Sequence, residues 1–270
     1  MCTNEIECYV INLERDKLKR SYMKELLSNF FPSAIFFDAI DGRLIKPSQK
    51  VDLYNSVESK AKIGRVLTSA EIGCALSHIE IYKKIILQKK KYALILEDDV
   101  VLEPDFKLVC AAAVEHLTDP DIIFLGSHTS SNRHKDVFLK IWGKMEISSG
   151  RHIGFPAEPP YGAYGYLLSR EAAIKMLNIV SDLYLPIDHY TSNSALLDIK
   201  VVKPSVVRVS SKLESLSNLN ADRHRLHQSK LRVSDKNRKR KNVVIALGLY
   251  PFYKASIKKI RIFINIINPI

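Results

Sequence analysis

Tyr92-Ala-Leu-Ile-Leu-Glu-Asp-Asp99 is the stretch on which the fold turns. A short, wholly apolar run fits a strand buried on both faces, as in the sheets of α/β proteins. Three carboxylates follow it without a spacer. Ligands of open α/β sheets bind outside the carboxyl ends of the strands, so these acids stand where a ligand would. Adjacent carboxylates repel one another, and Mn²⁺ or Mg²⁺ relieves that repulsion through carboxylate and phosphate oxygens. Such a cation suits a diphosphate leaving group, on which negative charge builds as a glycosidic bond breaks. In an extended chain, residues two apart share a face. Glu97 and Asp99 are therefore the expected metal ligands, with Asp98 left to a backbone or basic partner. A solvated acidic turn explains three acids equally well taken alone; the buried strand before them favours a site.

Alternating strand and helix patterns extend on both sides. Residues 8–13 read as a first strand, 16–30 as a helix with Leu18, Tyr22, Leu26 and Phe30 at helical spacing, and 34–38 as a second strand closed by the turn signal Asp41-Gly42. Residues 43–67 are polar and read as a loop with a short helix. Thr68 and Glu71 form a capping box for a helix running to about Lys90. Beyond the acids, a helix is expected over 105–117, strands over 121–125 and 164–168, strand-like pieces over 137–142, a helix capped by Ser169, and a strand over 200–209. The pattern predicts an α/β fold with a mostly parallel central sheet flanked by helices.

Charge divides the chain in two. Of 41 Lys and Arg and 29 Asp and Glu, residues 223–270 hold 13 basic side chains and one acid, so residues 1–222 are balanced at 28 of each. The expected organisation is a globular domain over 1–222 and a basic amphipathic tail over 223–270. In the tail, Lys and Arg alternate with aliphatic and aromatic residues, which suits an anionic membrane surface. Nucleic acid is not the expected partner. The four cysteines show no zinc-type spacing and read as reduced thiols. The first residues lack a basic, then apolar, leader pattern, and no apolar run approaches bilayer length.

Several stretches together resemble glycosyltransferase family 25, the bacterial lipooligosaccharide galactosyltransferases and their collagen-modifying relatives. These are Tyr9-Val-Ile-Asn-Leu-Glu-Arg15 with Arg20, Phe37-Asp-Ala-Ile-Asp-Gly42, Ser69-Ala-Glu-Ile-Gly-Cys-Ala-Leu-Ser-His78, Tyr92 to Val100, Gly162 to Ala173, and Leu185-Pro-Ile-Asp188. The resemblance implies a GT-A-like fold, a UDP-sugar donor (UDP-galactose first), a divalent metal at the Glu97-Asp98-Asp99 motif, and inverting transfer to a lipid-linked oligosaccharide. A cytoplasmic protein, peripheral on the inner membrane face, follows as an expectation. Glucosyl or N-acetylhexosaminyl transfer by the same fold is the alternative within enzymes; a non-catalytic basic adaptor is the alternative outside them.

By that likeness the donor site draws on Asn12 and Arg15 after the first strand, Asp38 and Asp41 around the second, Ser77 and His78 on the long helix, and Asp98. Arg15 can pair with a diphosphate, though a solvated Arg is the plainer reading. His78 is equally explained as a hydrogen-bonded packing residue. An inverting transfer needs a base opposite the leaving group. Asp188 is the first candidate and Glu158 the second, although Asp188 also reads as a helix cap. Tyr161 is the candidate for stacking on an acceptor sugar. His189 could complete a metal shell, and surface exposure explains it more simply.

Overall fold

The computed structural model describes residues 6–88, 90–116, 121–130 and 132–214. The basic tail expected over 223–270 lies outside the described residues. The elements are β1 (Ile6–Asn12), α1 (Lys17–Leu27), β2 (Ile35–Asp38), α2 (Pro47–Leu53), α3 (Ser56–Ile63), α4 (Ser69–Gln88), β3 (Tyr92–Glu97), β4 (Val100–Leu102), α5 (Phe106–Val114), β5 (Ile122–Phe124), β6 (Met145–Ser148), β7 (Arg151–Gly154), β8 (Gly165–Ser169), α6 (Arg170–Ile179), α7 (Ile187–Thr191), β9 (Ile199–Lys203), β10 (Val207–Val209) and α8 (Ser211–Glu214).

One eight-stranded sheet, ordered β2-β1-β3-β8-β5-β9-β7-β6, forms the centre, and β4 and β10 make a separate two-stranded sheet. The expected α/β class holds. The parallel part is β2-β1-β3 together with β5-β9, while β8 lies antiparallel between β3 and β5. As a result the carboxyl end of β3 meets the start of β8, where Glu97 N–H donates to Tyr164 O at 3.0 Å.

Strand β3 is buried on both faces because each face carries helices. Leu94 and Leu96 pack into a layer with Met23 and Leu27 of α1 and Phe106 of α5. Ala93 and Ile95 point the other way, into a layer with Ile81 and Ile85 of α4 and Met176 of α6. The two-residue alternation of the strand feeds both layers, so no polar residue fits before the strand ends.

Three expectations change in detail. In α1 the buried stripe is Lys19, Met23 and Leu27, one position round from the apolar stripe read in the sequence; Leu18 is 80% exposed. Residues 137–142 do not form a strand, and the edge hairpin is instead β6-β7. The segment 200–209 is not one strand: it leaves the large sheet at Pro204, which has no N–H to give a ladder, and resumes as β10 beside β4. The capping box holds, with Glu71 N–H donating to Thr68 Oγ1 at 3.0 Å and Thr68 N–H donating to Glu71 Oε2 at 2.9 Å.

Candidate active site

A cleft of about 660 Å³, counting the solvent at its mouth, opens at the carboxyl ends of β1, β2 and β3. All three acids line it, with Arg15, Asp16 and Lys19 on one side and Ala70, Cys74 and Ser77 of α4 on the other.

The floor depends on two glycines. A Cβ on Gly73 would lie 2.3 Å from Ile40 O and 2.6 Å from Gly42 N, and one on Gly42 would lie 1.8 Å from Ser69 O. The first turns of α4 therefore rest directly on the backbone after β2. Ser77 locks the same junction, accepting from Ile40 N–H at 2.8 Å and donating to Gly73 O at 2.7 Å. Turn chemistry at Asp41-Gly42 is thus only part of the account; close approach of backbone to backbone is what excludes a side chain there.

The acids divide between the two walls. Glu97 continues the Ala93-Ile95 face and points to α4, with its Oε1 3.9 Å from Cys74 Sγ. Asp98 accepts from Asn12 Nδ2 at 2.8 Å and from Lys19 Nζ at 2.8 Å, so both of its oxygens are engaged. Asp99 Oδ2 lies 3.7 Å from the same Lys19 Nζ. The expectation that Glu97 and Asp99 share a strand face is thus corrected. The strand ends at Glu97, Asp98 and Asp99 occupy a turn, and period two no longer applies. The expected basic partner of Asp98 is Lys19, which the sequence reading missed. Burial disfavours the charged form of this lysine, but Asp99 and Asp98 outweigh it and raise its pKa above the usual lysine value.

Three carboxylates and one ammonium leave two negative charges at the strand tip, a match for one divalent cation. The donors are hard oxygens, which suit Mn²⁺ or Mg²⁺. Beside them, the buried Asn12 Oδ1 accepts no hydrogen bond among the described residues. Glu97 and Asp99 are the two carboxylates that could hold such a cation, while Asp98 is engaged by Asn12 and Lys19. Cys74, His78 and Glu97 also bring one ligand atom each within 4.8 Å of one another.

Asp41 binds both Arg15 and Arg43 at the cleft rim, with Arg43 Nε 3.1 Å from its Oδ1. Asp38 is turned outward, 62% exposed at the side chain, and pairs with Arg20. His78 does not reach the cleft. It is fully buried, its Nδ1 lies 2.8 Å from Tyr166 Oη, and Tyr166 Oη lies 2.7 Å from Tyr82 Oη. Burial lowers the His78 pKa to about 3, so the ring is neutral.

The acceptor-side candidates lie on other elements. Tyr161 stands in the approach to β8 and meets His189 edge-on at 5.3 Å between ring centroids. Asp188 is half-buried in the first turn of α7, whose cap position is Pro186, so it is not the cap that its sequence context suggested. Arg65, bidentate to Glu71 at 2.7 Å for each bond, also feels the charge of Asp188. Glu158 is half-buried in the loop before Pro159.

Residues 5–191 match the family described as Glycosyltransferase family 25 (LPS biosynthesis protein). The chain belongs to glycosyltransferase family 25. A glycosyltransferase 25 family member of Aedes aegypti is 28% identical over 193 residues, covering 67% of this family 25 chain and 30% of that protein. Procollagen lysyl hydroxylase and glycosyltransferase of Acanthamoeba polyphaga mimivirus is 28% identical over 236 residues, covering 75% of this chain and 25% of that protein. Procollagen galactosyltransferase 2 of Homo sapiens is 26% identical over 193 residues, covering 68% and 29% respectively. The chain thus spans under a third of the length of these relatives. Solved structures align more distantly. A197 from STIV gives a TM-score of 0.39 at 15% identity over 75% of this chain and 82% of that one. Mannose-1-phosphate geranyltransferase from Thermus thermophilus gives 0.37 at 10% identity over 73% of each chain.

Every residue of the cleft wall falls within the span that matches family 25. Of the donor-side candidates, Arg15, Asp41, Ser77 and Asp98 line the cleft with Glu97 and Asp99. Asn12 supports the cleft from behind, and Asp38 and His78 lie off it. The sequence reading missed Lys19 and Arg43. A lysine spaced at i and i+4 with Met23 and Leu27 was the available signal for Lys19.

Proposed function

We propose that this chain is an inverting glycosyltransferase that moves galactose from UDP-galactose to a hydroxyl of a lipid-linked glycan, with a divalent cation at Glu97 and Asp99. The observation that carries the reading is the tip of β3: three carboxylates, one buried lysine and a net charge of two negatives on the wall of a cleft that also presents Arg15 and Arg43. Family membership supports the reaction class, and the likeness to procollagen galactosyltransferase 2 supports a hexose as cargo.

In this reading Arg15 and Arg43 hold the donor diphosphate, and Asp41 keeps both guanidinium groups over the cleft. Glu97 and Asp99 would hold a divalent cation there, and when bound it would neutralise the charge that grows on the departing diphosphate. Lys19 and Asn12 fix Asp98, which keeps the turn carrying Asp99 in place. Asp188 is the proposed base, with Glu158 second. It takes the proton of the acceptor hydroxyl as that oxygen attacks the anomeric carbon and the bond to the diphosphate breaks. Tyr161, held against His189, offers its ring to the acceptor sugar. Work at the inner face of the cytoplasmic membrane belongs to the same proposal.

The test is a thermal-shift series with UDP-galactose, UDP-glucose and UDP-N-acetylhexosamines, each with and without Mn²⁺. Stabilisation by UDP-galactose that needs Mn²⁺ and is lost in Asp99→Asn supports the site. Stabilisation by another sugar nucleotide reassigns the donor. No response to any sugar nucleotide, in a chain that melts cooperatively, removes the enzyme reading.

A further inference from the structure

The turn that leads into β6 carries an apolar tip that the other described residues leave exposed. Ile141 is 96% exposed, Trp142 63%, Phe138 53% and Met145 42%. Four large apolar side chains within eight residues are far from a scatter of single exposed hydrophobics. The tip is held, since Lys140 N–H donates to Phe155 O at 2.8 Å and Ala157 N–H donates to Phe138 O at 2.7 Å. Trp142 leans on Phe155 with centroids 5.1 Å apart. Gly143 makes the turn with φ +72°, where any larger side chain is strained.

Ammonium groups surround these rings. Lys140 Nζ stands 5.0 Å from the Trp142 ring centroid, and Lys135 and Lys203 stand 5.0 and 3.9 Å from that of Phe138. Lys144 adds a further exposed charge. The one acid between Lys135 and Lys144 is Asp136, which turns inward to accept from Ser205 N–H at 2.9 Å and Ser205 Oγ at 3.0 Å. Glu146, at the start of the hairpin, accepts from Gly150 N–H.

We infer that this tip is a membrane-interface anchor that seats Ile141 and Trp142 among the upper acyl-chain carbons beneath anionic headgroups, with Lys135, Lys140 and Lys144 at the phosphate level, while Lys203 Nζ donates to Val137 O at 3.1 Å and braces Phe138. Charge complementarity selects the occupant. An amphipathic Trp, an adjacent aliphatic residue and a rim of lysines match the layering of an anionic lipid interface. A turn of a few residues is too small for the roughly 1,000 Å² that a stable protein interface needs. The tip precedes β6, the edge strand opposite β2, and so lies across the sheet from the donor cleft. It is also distinct in sequence from the basic residues 223–270. The inference does not depend on the proposed donor or reaction.

Trp142 is the single tryptophan of the chain, so its emission reports this tip alone. The full chain is titrated with phosphatidylglycerol-containing vesicles and with pure phosphatidylcholine vesicles. The expected result is a blue shift on the anionic vesicles, quenching by brominated acyl chains, and little change on the neutral ones. Ile141→Ser keeps the reporter and, being at an exposed site, leaves the fold intact; it weakens partitioning roughly tenfold. Lys140→Glu with Lys144→Glu weakens it further and reduces its salt dependence. Vesicle binding with unshifted, unquenched Trp142 emission would assign membrane contact elsewhere in the chain and overturn the inference. So would a blue shift that appears without lipid and grows with protein concentration, since a second copy would then be the occupant.

Discussion

Lys19 Nζ sits 2.8 Å from Asp98 Oδ1 and 3.7 Å from Asp99 Oδ2, with all three side chains no more than 12% exposed. An ammonium from the first helix thus closes the carboxylate cluster from beneath. Removing one partner of a buried ion pair leaves the other charge uncompensated, which is costlier than removing both. Lys19→Met should therefore lower unfolding free energy by about 3–5 kcal/mol. Lys19→Met combined with Asp98→Asn should recover part of that loss. Urea unfolding of the two variants checks both statements, and equal stability of Lys19→Met and the parent protein would refute the coupling.

The same pair sets an alkaline limit. The folded pKa of Lys19 is raised above its unfolded value. Its stabilising contribution is therefore complete below the ordinary lysine pKa and is lost as pH rises through the folded value. Stability measured by urea titration above pH of about 10.4 should fall more steeply in the parent than in Lys19→Met.

On the acid side His78 has the opposite sign. Its folded pKa of about 3 lies below the unfolded value of 6.5. Between those values the unfolded chain takes up a proton that the folded chain refuses, so stability declines as pH falls through this window. The limiting slope is about 1.4 kcal/mol per pH unit. Unfolding midpoints measured from just below the unfolded value down to pH of about 5 should show this decline, and His78→Gln should flatten it. Tyr166→Phe strips a hydroxyl from both His78 and Tyr82 and should cost about 1–3 kcal/mol.

Gly73→Ala tests the cleft floor. Its Cβ would meet backbone atoms at 2.3 and 2.6 Å, and backbone cannot move aside as a flexible side chain can. A loss of about 1–3 kcal/mol or more is expected, together with weakened sugar-nucleotide binding. Calorimetry with and without UDP-galactose separates the two effects. A variant with parental melting and binding would show that α4 can lift from the loop after β2.

Arg15→Ala examines the diphosphate contact proposed for the cleft rim. One lost charge-assisted hydrogen bond corresponds to about 1.5–3 kcal/mol, or roughly 10- to 100-fold weaker binding. The uridine nucleoside, which lacks phosphate, should bind parent and variant alike. Equal loss for nucleoside and nucleotide would assign Arg15 a structural role.

Local pattern was enough to read most of the scaffold. The apolar run 92–96 marked the central strand, Thr68 with Glu71 marked the start of the long helix, and the acids of 97–99 marked a strand end that lines the cleft. These features are written in neighbouring residues, whose spacing reflects the period of the strand or helix they form. What sequence could not supply is which distant groups converge. Lys19 reads as one surface lysine among many until α1 packs on β3 and turns it toward Asp98. Gly42 reads as a turn until α4 lies on it. His78 reads equally as a donor contact and as a packing residue until Tyr166, 88 residues away, takes its Nδ1 in the core. Side-chain periodicity is local, whereas burial, charge pairing and close backbone approach arise from contacts between segments far apart in the chain, and only the folded arrangement decides them.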